Sequence, residues 1–249
     1  MSLSPKFKFI VATRKKKTER DSLPIFRFLS LFNAGEKYSI DTEILYDNSD
    51  GLPKVYNSII DREIESAEKS DFLIFVHDDI WINDVFIFDK ILSANKYFDV
   101  IGVCGGKGWE SYGDGTVPMI WTHASRGKGM SGFMAHAADD SQSRIKHDIT
   151  YDGRSIFSTS YGHSPSRTLT VDGCFMCLSK SAVERGLKFD EMFNFHFYDM
   201  DLCFYAYVKG IKVGTAPVLL THESLGLSVS QPQFMESQKA FLKKWFQKS

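Results

Sequence analysis

The stretch DFLIFVHDDIWI, Asp71 to Ile82, constrains the fold of this chain most, because its apolar run, Phe72 to Val76, ends abruptly in His77, Asp78 and Asp79. Five consecutive apolar residues with aromatic and β-branched members fit a strand buried on both faces, as in a parallel sheet covered by helices. Ligands of such sheets collect at the carboxyl ends of the strands. Two adjacent carboxylates at that end repel each other unless a cation or a set of donors neutralises them. The stretch therefore points to a divalent metal or a hydrogen-bonded sugar. The plainer reading is a solvated turn whose acids cap the next helix.

The segments before it alternate. KFKFIVAT, with Phe7, Phe9 and Val11 spaced by two, reads as a strand, and the RKKKTER that follows reads as a solvated loop or a diphosphate contact. SLPIFRFLSLFNAG reads as a helix with Leu23, Phe26, Leu29 and Phe32 on one side and Gly35 as its stop. YSIDTEILYDN is a second strand. LPKVYNSIIDREIESAEKSD is a second helix, with Pro53 near its start and Tyr56, Ile60, Ile64 and Ala67 at helical spacing. Strand, helix, strand, helix, strand predicts a parallel sheet with right-handed crossovers.

After the acidic cluster come a helix, NDVFIFDKILSANKYFD, and a short buried strand, VIGVCGG. Ten of the 18 glycines then fall between Gly105 and Gly162, in a segment with weak periodicity that also holds His123, His136, His147 and His163. The expectation is a loop insertion with room for a hairpin, acting as a lid or disordered. Trp109, Tyr112 and Trp121 within it could stack on a sugar or anchor the loop, and the four histidines lack the spacing of a structural zinc site. From Thr168 the chain reads as a strand, TLTVDGCFMCLSK, and a short helix. Asp199 and Asp201 then precede an apolar helix, Leu202 to Val208, ended by Gly210. Acids in a first helical turn suit the helix dipole, but His196, Tyr198, Asp199 and Asp201 between Phe195 and Phe197 also suit a general base in a partly apolar pocket. IKVGTAPVLLTH reads as a strand pair ending in His222. The terminal SQPQFMESQKAFLKKWFQKS reads as a helix with Pro232 near its start, whose Phe234, Phe241, Leu242 and Trp245 make an apolar stripe, for packing or for peripheral membrane contact.

A chain of 249 residues with a formal net charge of -1 affords a sizeable core and gives no electrostatic reason to expect nucleic acid as a partner. No apolar run reaches transmembrane length and the N-terminus lacks a signal-type segment, so the expected location is the cytoplasm, with the inner face of a membrane as the place of any peripheral contact. Cys104, Cys174, Cys177 and Cys203 sit among apolar neighbours and read as buried thiols.

Taken together, FLIFVHDDIWI, VDGCFMCLSKSAVE, FHFYDMDLCFYAYVKGIKV and LTHESLG resemble the family-2 glycosyltransferases of GT-A fold, and within them the branch with the streptomycin-biosynthesis-type glycosyltransferase-like domain. The resemblance runs from Phe7 to about Leu227 and omits the glycine-rich insertion and the terminal helix. It implies one α/β GT-A domain over residues 1–249, Rossmann-like, with a mostly parallel central sheet flanked by helices. Residues 1–104 would bind the nucleotide-sugar, 105–168 form the insertion or lid, 169–227 carry the acceptor and catalytic half, and 228–249 form the C-terminal helix. The implied activity is a metal-dependent, inverting transfer from a UDP-, dTDP- or GDP-linked sugar to a glycan or lipid-linked acceptor, with Mn²⁺ or Mg²⁺ as cofactor. The D-x-D motif falls on His77, Asp78 and Asp79, which makes Asp79 a metal ligand and places His77 and Asp78 at the nucleotide-sugar. His222 matches the late histidine that completes the metal site. Asp199 matches the catalytic base, with Tyr198 where the pattern has Glu. Asp201 orients the acceptor or caps its helix, and Asp172, Gly173, His196 and Trp109 join the acceptor side. Thr13, Arg14, Asp47 and Asn57 match nucleotide contacts. The rival readings are a non-catalytic carbohydrate-binding protein on the same fold and a nucleotidyltransferase.

Overall fold

The computed structural model describes residues 4–31, 37–108, 129–138, 150–151, 154–224 and 231–246. β1 (Lys6–Ala12), α1 (Pro24–Leu31), β2 (Ser39–Leu45), α2 (Leu52–Glu65) and β3 (Phe72–Val76) alternate as the apolar spacing predicts. Pro53 occupies the first turn of α2, where an N–H has no intrahelical partner to lose. β1 pairs in parallel with both β2 and β3. The chain continues through β4 (Ile80–Ile82), α3 (Ile87–Asn95), β5 (Val100–Gly102), β6 (Cys104–Gly106), β7 (Met130–Ala138), β8 (Thr150–Tyr151), β9 (Arg154–Gly162), β10 (Thr170–Val171), β11 (Phe175–Ser179) and α4 (Lys180–Glu184). It ends with α5 (Tyr198–Val208), β12 (Val213–Thr215), β13 (Leu220–His222) and α6 (Pro232–Phe246).

Six strands form the main sheet in the order β12-β5-β11-β3-β1-β2, parallel except for β11, which runs antiparallel to both neighbours. With helices on it, this is the mixed α/β architecture expected, in keeping with a GT-A-like fold. β3 is central, and all five of its residues are buried. Its side chains alternate between two cores: Leu73 and Phe75 face Tyr56, Ile59 and the α5 residues, whereas Phe72, Ile74 and Val76 face Phe7, Phe9, Phe88 and Ile91. Each such side chain contributes about 1.5–3 kcal/mol by leaving water. That is why the run is apolar without interruption.

A second sheet, β10-β6-β7-β13-β4 with β9 on β7 and β8 on β9, corrects four expectations. VIGVCGG is not one strand: β5 lies in the main sheet and β6 in the second. The same division separates β11 from β10, at Asp172–Cys174, and β12 from β13, which are therefore not the strand pair expected. β3 and β4 divide in the same way, at His77–Asp79. The insertion is also more than loops, since β7 and β9 are nine residues each and pair antiparallel over most of their length. Its glycines misled because some serve close packing within the sheet. At Gly132, φ is 111° and an added Cβ would lie 2.1 Å from the Val103 carbonyl oxygen, beside a register shift in the β7–β9 ladder.

The apolar stripe of α6 is taken up inside the protein: Phe234 and Phe241 are buried in the α5 core. Packing, not a membrane, accounts for those rings. Among the described residues no helix is long and apolar enough to cross a membrane.

Candidate active site

Of the four backbone crossings between the sheets, two bring polar residues together, whereas those at Val103 and at residues 216–219 are apolar. The β3–β4 crossing presents His77, Asp78 and Asp79, and the β10–β11 crossing presents Asp172 and Gly173. The His77 N–H donates to the Cys174 carbonyl at 3.0 Å, which ties the two crossings. β13 then brings His222 opposite Ile80 in antiparallel register.

One ligand-type atom each from His77, Asp79 and His222 lie within 4.8 Å of one another. His222 Nε2 is 3.4 Å from Asp79 Oδ2, and His77 Nδ1 is 4.0 Å from Asp79 Oδ1. Burial works against the Asp79 carboxylate, yet the hydrogen bond and charge of His222 and the charge of His77 outweigh it and hold its pKa below the usual value. Burial likewise works against a charged His222, but Asp79 prevails and raises its pKa. Burial keeps His77 low. Asp79 Oδ1 is buried without a hydrogen-bond partner. A buried carboxylate oxygen left open between two imidazoles fits a divalent cation. The sequence resemblance set His77 at the nucleotide-sugar; the geometry groups it with Asp79 and His222.

At the carboxyl ends of β1 and β3, the Thr13 hydroxyl donates to Asp78 Oδ2 at 2.5 Å and accepts from the Lys15 N–H at 3.1 Å. The Asp47 N–H donates to the Lys15 carbonyl at 3.0 Å, with Asp47 in the left-handed region at φ 51°. Thr13, Arg14, Asp47 and Asp78 thus share the carboxyl ends of β1, β2 and β3, with Arg14 and Asp47 exposed. Asn57 is elsewhere. Its amide donates to the Phe189 carbonyl at 2.9 Å and to Glu191 at 3.0 Å, and its oxygen accepts from the Phe189 N–H at 3.0 Å. Both ends are committed to holding α2 against the 189–191 segment, which corrects its reading as a nucleotide contact.

At the start of α5, Asp199 accepts from the Gly173 N–H at 2.9 Å and from the Met200 N–H at 2.8 Å. Burial, then the charge of Asp172, pushes its pKa up to about 7, against backbone hydrogen bonds from Met200, Gly173 and Asp199 itself that favour the anion. Gly173 is required for this approach, since a Cβ there would lie 2.4 Å from the Tyr198 hydroxyl. That hydroxyl donates to the Gly173 carbonyl at 2.8 Å and sits 3.0 Å from His77 Nε2. Asp172 is anchored by the Cys174 N–H at 2.9 Å, and its charge is felt at His77, His222 and Asp199. His196 lies edge-on to Phe195 and Phe234, and burial lowers its pKa. Asp201 is 1% exposed and bonded to Lys244 and Trp245 of α6. It does not cap α5, whose N-cap is Phe197, and its carboxylate is committed to α6. Trp109 lies outside the described residues.

Sequence reasoning gave His136 no place in the site. It pairs with His222 in parallel register, their rings 6.2 Å apart, stacks on Phe157 at 5.0 Å, and its Nδ1–H donates to the Ser224 carbonyl at 3.0 Å. No linear spacing signals this neighbour, because the register of β7 on β13 creates it.

No family model matches the chain, and no curated protein matches it. Among solved structures, A197 from STIV is similar with a TM-score of 0.45 and 13% identity, over 85% of this chain and 82% of that one. S. aureus TarS 1-349 gives 0.47 and 13%, over 98% and 67%. A glycosyltransferase involved in the glycosylation of the major capsid of PBCV-1 gives 0.36 and 12%, over 95% and 100%. Likeness at this level assigns no activity to this chain.

Proposed function

We propose that this protein is a metal-dependent, inverting glycosyltransferase that moves a sugar from a nucleotide-sugar donor to a hydroxyl of a glycan or lipid-linked acceptor. One observation carries the reading. A carboxylate with an open buried oxygen, Asp79, stands between two imidazoles, and one of these, His77, is linked through the Tyr198 hydroxyl to Gly173, whose N–H holds a carboxylate poised near neutrality, Asp199.

His77, Asp79 and His222 would hold the cation, and two nitrogen donors favour Mn²⁺ over Mg²⁺ there. When bound, such a cation neutralises the charge that builds on a departing nucleoside diphosphate. The chain's own groups do the rest. Thr13 fixes Asp78 at the ends of β1 and β3, where a nucleoside would lie. Asp199, as the anion, takes the proton of the acceptor hydroxyl. The acceptor oxygen bonds to the anomeric carbon from the face opposite the leaving group, and the bond to the diphosphate oxygen breaks. A pKa near 7 suits a general base, since the group is largely ionised just above neutrality and still basic enough to accept a proton.

The test is calorimetric titration of UDP, dTDP and GDP into the protein with and without Mn²⁺, alongside Asp79→Ala, followed by transfer assays with the matching sugar donors. Binding of one nucleotide that requires both Mn²⁺ and Asp79, followed by release of that nucleoside diphosphate, is the expected result. Release of a sugar 1-phosphate from the nucleotide-sugar would mark attack at phosphorus, and metal-independent binding without turnover would mark a carbohydrate-binding protein.

A further inference from the structure

We infer that the C-terminal helix is a latch that sets the position of Asp199, with Lys244 as its positioning residue; this rests on the role proposed above for Asp199. Phe197, the residue before α5, has φ 67°, in the left-handed region that disfavours a residue bearing a side chain. Something outside the turn must hold it there. Two rings of α6 lie against Phe197, Phe234 at 5.0 Å and Phe241 at 5.4 Å between centroids.

The polar half of the latch is more specific. Asp201 accepts from Lys244 Nζ at 2.7 and 2.9 Å and from Trp245 Nε1 at 2.7 Å. The same ammonium reaches Asp190 Oδ2 at 2.7 Å. One cation on α6 therefore pins both ends of the 190–201 segment, and Asp199 lies two residues from the pinned end. Removing Lys244 leaves Asp201 buried with its charge uncompensated, a situation that drives local rearrangement. Asp199 has its own reporter outside this segment: the Gly173 N–H, which donates to its Oδ2 at 2.9 Å.

The experiment uses the full chain and the variants Lys244→Met, Lys244→Arg and Trp245→Phe, read by amide hydrogen exchange and by steady-state kinetics. Lys244→Met should lose at least about tenfold of the protection at Gly173 and Met200, with β1 and β3 amides unchanged. Turnover at saturation should fall about tenfold to a hundredfold, as for a displaced reacting group, with the donor KM within about twofold. Lys244→Arg, which keeps the charge, should recover most of both. Unchanged Gly173 protection and turnover in Lys244→Met would overturn the latch, and so would an equal loss of protection at β1 and β3, which marks general destabilisation. If Lys244→Met does not fold, Trp245→Phe, which deletes a single hydrogen bond, is judged by the same criteria. If the parent chain transfers no sugar, the glycosyltransferase reading fails, while exchange at Gly173 still decides the latch.

Discussion

His77 Nε2 and the Tyr198 hydroxyl lie 3.0 Å apart, and the hydroxyl directs its own proton to the Gly173 carbonyl at 2.8 Å. The imidazole must therefore be the donor in the pair. That fixes the tautomer with the proton on Nε2 and leaves the Nδ1 lone pair on the side of Asp79, 4.0 Å from Oδ1. A ring held in this way is prepared to ligate a cation.

Tyr198→Phe should therefore weaken Mn²⁺ binding by about 10–100-fold, the usual effect of removing a partner that orients a metal-binding histidine. Calorimetric titration of Mn²⁺ checks this. Affinity equal to that of the parent chain would mean that Nδ1 is not a ligand.

The Asp199 carboxyl titrates at about 7 in the folded chain, above its ordinary value of 3.8. Between those values the folded state holds a proton that the unfolded state has released, so stability falls as pH rises through that window. The decline in melting temperature of the metal-free protein should be shallower in Asp199→Asn. For the parent chain, kcat/KM should rise with pH to a plateau with an apparent pKa of about 7. Burial and Asp172 raise this pKa. Asp172→Asn should therefore move the rising limb to lower pH, and an unmoved limb would assign it to another group.

Asn57→Ala should cost about 1–3 kcal/mol in urea unfolding, because it strands the buried N–H and carbonyl of Phe189. The donor KM should stay within about twofold. A raised KM at full stability would return Asn57 to the nucleotide site.

Gly132→Ala should destabilise by about 1–3 kcal/mol, since a Cβ would press on the Val103 carbonyl at 2.1 Å from a backbone with φ 111°. Thermal unfolding reads this directly. No loss of stability would mean that the β6–β7 ladder yields at this point.

Much of the main sheet is legible in local pattern. The unbroken run Phe72–Val76 requires apolar matter on both faces, and the alternation in Lys6–Ala12 and the Pro53 start of α2 are short-range effects that neighbours alone decide. The acids at the end of β3 were legible for the same reason. What could not be read were relations between distant residues that only strand register and helix docking create. Asn57 meets Phe189 across 132 positions, His136 meets Ser224 across 88, and Lys244 meets Asp201 across 43. Asp201 looked like an acceptor group or a cap because its true partner lies on a helix whose docking its own neighbourhood does not encode. Most strands and helices, and the places where charge gathers, follow from local pattern alone, because propensity and periodicity act over a few residues. Which of those charges gather around Asp79 and which close the fold follows from docking, because hydrogen bonds and ion pairs depend on distances that the crossings between two sheets set.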